Sequence, residues 1–125
     1  MTVGSGHRFL KQHRLRSTAD FDRAFRLRRS ASDAWLIVYG YPNGLEHPRL
    51  GLSVSRKLGN AVRRNRWKRL LREAFRLQID RLPAGVDLVI VPRRDVEPAL
   101  EPLKQSLLDL SMRVARKLRK RKGLS

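Results

Sequence analysis

Residues 49–76 read RLGLSVSRKLGNAVRRNRWKRLLREAFR, and the fold follows from how this stretch is read. It opens with apolar residues at alternate positions, Leu50, Leu52 and Val54, the period of a half-buried strand. Gly59 then permits a sharp turn. Asn60 is placed to cap a helix, its side-chain oxygen accepting from an unpaired amide of the first turn. Beyond it Trp67, Leu70, Leu71, Ala74 and Phe75 recur at helical spacing and mark a face packed on a core. Asn65, Lys68, Arg69, Arg72 and Arg76 gather on another side, and Arg63, Arg64 and Arg66 crowd the first turns. A strand, a turn and a cationic helix therefore follow one another directly.

The charges run against the helix dipole. Each cation near a helix N-terminus costs about 0.3–1 kcal/mol at an exposed site, and Arg63 and Arg64 sit there. Only Glu73 relieves the repulsion among their neighbours. The bland reading is a solvated basic face. The density of charge weighs against it and points to a polyanionic partner. The whole chain agrees, with 29 Lys+Arg against 11 Asp+Glu and a formal net charge of +18 over 125 residues. Nucleic acid fits such an excess first, an acidic membrane surface second.

Upstream, Ser17 and Asp20 have the spacing of a helix start. The short helix expected near 18–28 puts Phe21 and Phe25 on one face. Residues 35–41, WLIVYGY, read as a strand, with 50–55 as its antiparallel partner. The basic helix is expected near 60–81, ended by Pro83-Ala84-Gly85. Residues 86–91, VDLVIV, read as a buried strand. The apolar stripe Leu103, Leu107, Leu110, Val114 and Leu118 predicts a last helix near 100–120. Residues 7–16 are expected to form a short edge strand or to lie along the core. Length and composition predict a single domain, 1–125, with tails at 1–6 and 120–125 expected to be disordered. The element order argues for an α+β fold, an α/β sandwich with one small mixed sheet.

Several of these residues resemble one family, the bacterial ribonuclease P protein subunit. The resemblance rests on Arg49-Leu50-Gly51, Val54-Ser55-Arg56-Lys57, Gly59-Asn60-Ala61-Val62, Arg64-Asn65-Arg66, Lys68-Arg69, Arg72-Glu73 and Phe75-Arg76. It extends to Arg14-Leu15, Asp20-Phe21, Phe25, Tyr39, the strand 87–91 and Arg93. There are two departures. Leu27-Arg28-Arg29 stands where the family usually has a glycine, and Arg56-Lys57 stands where Lys-Lys is common. The missing glycine leaves the turn after the first helix open.

The resemblance implies a sheet of about four strands and a crossover around the basic helix of the rarer left-handed sense. Strand and helix order alone would favour the right-handed one. It implies a protein that assists a catalytic RNA in removing the 5′ leader of precursor tRNA, with chemistry and Mg²⁺ in the RNA. The RNA subunit would meet Arg63, Arg64, Asn65, Arg66, Lys68, Arg69, Arg72 and Arg76. The leader would meet Phe21, Phe25, Tyr39, Arg56 and Lys57. One protein per RNA, a cytoplasmic location and no DNA or membrane partner are expected. Residue spacing alone makes two phenylalanines at i, i+4 equally consistent with core. Trp67, on the apolar face of its helix, is read as core.

Other chemistry finds no support. Cysteine is absent, so there is neither a disulfide framework nor a thiolate metal site. His7, His13 and His47 are scattered and show no ligand spacing. There is no Gly-rich phosphate loop, no paired-carboxylate motif and no nucleophile with supporting context. No catalytic or metal-binding residue is expected, and no apolar run reaches the length of a membrane helix. Two other functions compete. A structural RNA-binding protein would share the charge and size but lacks a reason to join Arg64-Asn65-Arg66 to aromatic residues. A DNA-binding module is a poor match, because the basic helix has no partner helix and turn.

Overall fold

The alternating strand, the capped turn and the two apolar helical stripes all appear in three dimensions. A computed structural model describes residues 10–93 and 96–124, with side chains described as far as residue 120. The elements are α1 Thr18–Leu27, β1 Ser30–Ser32, β2 Leu36–Pro42, β3 Arg49–Leu52, α2 Ala61–Leu77, β4 Val86–Pro92 and α3 Leu100–Leu124. The four strands form one mixed sheet in the order β1-β2-β4-β3. One sheet face packs Leu36, Val38, Leu50, Leu88 and Ile90 against Trp67, Leu71 and Phe75 of α2 and the stripe Leu103, Leu107, Leu110 and Val114 of α3. The other face carries α1, with Ala24, Leu15 and Val89 buried between them.

The sheet pairing corrects one expectation. The strand beginning at Leu50 does not pair with the strand before it. β3 lies parallel to β4, from Arg49↔Asp87 to Leu52↔Ile90, and β2 lies antiparallel to β4, from Leu36↔Pro92 to Pro42↔Val86. The reason is burial. Apart from the ion-paired Asp87, β4 is apolar on both faces, so it takes the interior position and pairs on both edges. β3 and β4 are joined through α2, and a helical crossover delivers its second strand parallel to the first.

One strand escaped sequence reading. Ser30-Ala31-Ser32 has neither β-branched nor aromatic residues, yet it pairs antiparallel with β2 from Ser30↔Tyr39 to Ser32↔Ile37. Its pairing comes from tertiary context rather than propensity. On the opposite edge residues 14–15 run beside β3. Arg14 bridges Leu50, and the Leu15 amide donates to the Leu50 carbonyl at 3.0 Å. The N-terminal segment thus covers the outer edge of β3, whose amides and carbonyls would otherwise be open to pairing.

Helix ends follow local chemistry. Ser17 Oγ accepts from the Asp20 amide at 3.1 Å and starts α1. Asn60 Oδ1 accepts from the Arg63 amide at 3.0 Å and starts α2, after Gly59 turns at φ 126°. α2 stops at Leu77 rather than near 81, where Gln78 leaves helical geometry and its Nε2 donates to the Lys104 carbonyl at 2.9 Å. A 3-10 turn, Ile79–Arg81, follows. α3 continues through residues expected as a tail, to Leu124. Its last turns are rich in Lys, Arg and Leu, good helix formers whose cations also suit a helix C-terminus. The tail expected at 1–6 lies outside the described residues. α3 approaches the sheet closely at Gly40, where a β-carbon would fall 2.1 Å from Val114 Cγ1.

The position of the missing glycine is also resolved. α1 ends on Arg28 in the left-handed conformation, φ 59° and ψ 28°. Glycine occupies that cap without steric cost, whereas a side chain there costs about 1–2 kcal/mol. Arg28→Gly is therefore expected to raise stability by about 0.5–1 kcal/mol, a gain of a few degrees in a thermal melt. A melt at or below that of the parent would show that the Arg28 side chain contributes more to folding than its backbone costs.

Candidate nucleic-acid interface

The site is built where α1 crosses the sheet and α2 flanks its edge. Successive strand residues point to opposite faces. Tyr39 and Tyr41 of β2, Val89 of β4 and Gly51 of β3 therefore share the face that α1 covers. Phe21 lies over Gly51 so closely that a β-carbon there would fall 2.8 Å from Phe21 Cζ and 2.9 Å from Leu15 Cδ1. Glycine is what lets the ring descend onto the strand. One turn later Phe25 meets Tyr39 edge-on, ring centroids 4.9 Å apart. Phe21, Phe25, Tyr39 and Tyr41 are all half-buried against Leu15, Ala24 and Val89. They are neither wholly core nor free: one side of each ring packs, and the remainder faces solvent.

One end of this groove is held by ions. Asp87 of β4 is buried inside the sheet. Its carboxylate accepts from Arg49 Nε and Nη2 at 2.8 Å each and from Asn43 Nδ2 at 2.9 Å. Arg49 also lies 3.9 Å from Asp20 in α1, and Asp20 pairs with Arg23. The hydrogen bond to Asp87 raises the Arg49 guanidinium's pKa against the opposing effect of burial. Arg23 in turn sits 6.0 Å over the Tyr41 ring.

The basic helix presents the predicted face with some charges already matched. Trp67, Leu71, Ala74 and Phe75 of the predicted apolar face are buried, and Leu70 of the same face is half-buried against the core. Asn65, Arg66 and Arg69 are exposed, and Arg63, Arg64, Lys68, Arg72 and Arg76 are half-buried. Arg63 and Arg66 share the Glu97 carboxylate at 2.9 and 3.1 Å, and Arg63 also donates to the Val96 carbonyl at 3.0 Å. Arg76 pairs with Glu73. Val62, in the first turn, is 78% exposed, an apolar residue among cations.

The two predicted residue sets meet. Lys68 and Arg72 of α2 line a cavity of about 210 Å³ together with Phe21, Arg14 and Leu15. Burial, and then the neighbouring charge of Arg14, lowers the Arg72 guanidinium's pKa. Cations crowded beside an aromatic ring make a place where a phosphate and its base can be held together. Arg56 and Lys57 stand apart. They are exposed on a 3-10 turn, Arg56–Leu58, between β3 and α2. Among the described residues they make no contact with the rings of Phe21, Phe25 or Tyr39.

The matches to known proteins agree with the fold. The Ribonuclease P family model covers residues 9–118. The chain belongs to the ribonuclease P protein family. The ribonuclease P protein component of Methylococcus capsulatus is 47% identical over 91 residues, covering 72% of this chain and 70% of that protein. That of Thermotoga maritima is 36% identical over 111 residues, covering 85% and 95%. The solved structure of the Thermotoga maritima protein superposes with a TM-score of 0.74 at 35% identity, covering 80% of this chain and 96% of that one. Membership gives the chain a place in the ribonuclease P holoenzyme beside its RNA subunit.

Sequence reading of this ribonuclease P family member missed Tyr41, Arg23, Arg14 and Leu15. Tyr41 was legible, since Tyr39 and Tyr41 at i, i+2 must share a sheet face. Arg14 and Leu15 were not, because only the pairing of that segment with β3 brings them to Phe21. His13 and His47, scattered in sequence, meet edge-on with centroids 5.3 Å apart. Burial, and then the charge of His47, lowers the His13 pKa. His7 lies outside the described residues. No group of three or more His, Cys, Asp or Glu side chains is placed to hold a metal ion among the described residues.

Proposed function

We propose that the chain assists the catalytic RNA of ribonuclease P in removing the 5′ leader from precursor tRNA. The α2 face, with Arg64, Asn65, Arg66, Lys68, Arg69 and Arg72, holds the RNA subunit. The groove of Phe21, Phe25 and Tyr39 takes the single-stranded leader, its bases stacking on the half-exposed rings. Arg56 and Lys57 act at the rim rather than on the groove floor. Two folded RNAs repel one another, and a chain of net charge +18 between them lowers that cost. The observation that carries the reading is the shared cavity, where Phe21 meets Lys68 and Arg72.

In this reading the RNA supplies the cleavage chemistry together with its Mg²⁺. Among the described residues, the two carboxylates beside the groove already have protein partners. Asp87 is engaged by Arg49 and Asn43, and Asp20 by Arg23. One protein serves one RNA, in the cytoplasm. Among the described residues no helix is long and apolar enough to cross a membrane.

The test is precursor-tRNA cleavage at low Mg²⁺ by RNA subunit alone, protein alone and the two together. The combination is expected to cleave under conditions where either alone is nearly silent. Cleavage by RNA-free protein, or an RNA subunit indifferent to the protein, would overturn the assignment. A companion variant isolates the helix face. Arg69→Ala should melt within about 0.5 kcal/mol of the parent. Its affinity for the RNA subunit should fall about tenfold, the worth of one charge-assisted hydrogen bond of about 1.5 kcal/mol. Unchanged affinity would remove Arg69 from the interface.

A further inference from the structure

A second concentration of cations lies across the sheet from α2, at its β1 edge. α1 carries the chain over the sheet from β3 to β1. Phe21 rests on Gly51 of β3, Phe25 meets Tyr39 of β2, and Arg28-Arg29 then leads into β1. From Phe21 to Arg28 the helix advances about 10 Å at 1.5 Å per residue. On the other face of the sheet α3 reaches the same edge, where Lys117 Nζ donates to the Ser30 carbonyl. Lys120 lies three residues beyond Lys117 and four beyond Arg116, so it neighbours both on the surface of α3. Arg26, Arg28, Arg116, Lys117 and Lys120 are exposed, and Arg29 is half-buried.

These six cations have no carboxylate partner among the described residues. The α2 face, by contrast, already commits Glu97 to Arg63 and Arg66, and Glu73 to Arg76. Two structural explanations account for part of the pattern. Cations suit the C-terminal turns of α1 and α3, and one lysine on an edge strand deters unwanted pairing. Neither explains why two helix ends should bring their charges together on one edge, where they repel.

We propose that the β1 edge binds the phosphates of single-stranded RNA that leaves the aromatic groove past Phe25. The groove and the edge form one track. Bases stack on Phe21, Phe25 and Tyr39, and the backbone beyond them crosses to Arg26, Arg28 and the α3 cations. The edge meets phosphates, so it carries charge selectivity without base selectivity. The inference rests on the leader reading of the groove and lengthens the stretch of leader that the protein engages.

The experiment compares the parent holoenzyme with one carrying Arg26→Gln, Arg28→Gly, Arg116→Gln and Lys120→Gln together. The substrates are precursor tRNAs with unstructured leaders of about 2, 6 and 16 nucleotides, chosen against single-strand site sizes of about 4–16 nucleotides. A melt of each free protein confirms folding, and Arg116→Glu alone serves as a single-site variant on exposed helix surface. The parent should bind the longest leader more tightly than the middle one. The variant should lose that gain, about fivefold or more, and keep the parent's affinity for the two shorter leaders. Its salt slope on the longest leader should be shallower by about 0.7 for each phosphate that the edge no longer neutralises. Retention of the full long-leader gain by both variants overturns the proposal. Equal weakening at every leader length, or weakened assembly with the RNA subunit, also overturns it and assigns the edge to the folded RNA. A parent indifferent to any leader overturns the groove reading itself, which separates the two failures.

Discussion

Replacing Phe21 with alanine is expected to weaken precursor tRNA binding by about 5- to 150-fold while mature tRNA binding is unchanged, one base–aromatic stack being worth about 1–3 kcal/mol. Only the precursor carries a leader to stack. The ring also packs on Gly51 and Leu15, so truncation costs stability as well. A wholly buried phenylalanine would cost about 3–5 kcal/mol, and Phe21, half-buried, should cost less. Phe21→Leu separates the two roles. Leucine refills most of the space over Gly51, and such apolar swaps usually cost under about 1.5 kcal/mol, but it offers no aromatic face. Phe21→Leu should melt near the parent and still lose preference for the precursor. If it keeps that preference, the ring is packing and not a stacking platform.

Asp87→Ala should produce the largest loss of stability, about 2–4 kcal/mol. Breaking a buried ion pair costs about 3–5 kcal/mol, because the partner charge is left behind. Arg49 softens this, since its side chain is 26% exposed and can turn to water, while Asp87 is only 4% exposed. A fall of about 10 °C in the melting midpoint corresponds to the middle of this range. Asp87→Asn should fall less, as its amide oxygen can still accept from Arg49. The consequence reaches the groove, because Arg49 also faces Asp20 at the start of the helix that bears Phe21 and Phe25. Precursor preference should therefore decline in Asp87→Ala even at temperatures where the protein is folded. A melt within a degree or two of the parent would show that Arg49 finds other partners, and that the pair does not brace the groove.

The local grammar of the chain was legible without a structure. Helical spacing placed Trp67, Leu71, Ala74 and Phe75 inside and the cations of the same helix outside, because burial of a helix stripe depends only on residues three and four apart. Asn60 and Ser17 cap helices through contacts within three residues, so their roles also lie within reach of sequence. The family was legible for the same reason, its signature being a continuous run around Arg64-Asn65-Arg66. What joins distant segments was not legible. β3 pairs with β4 instead of β2 because the doubly buried strand claims the interior of the sheet, a competition among strands that no single strand reveals. β1 exists only by pairing, its Ser-Ala-Ser having no propensity to betray it. Arg28 takes a left-handed turn that its identity argues against, held there by the demands of α1 and β1 on either side. The meeting of Phe21 with Arg14, Lys68 and Arg72 depends on which sheet edge α2 flanks and which face α1 covers. Local spacing determined each of those elements, and only tertiary packing decided that they share one cavity.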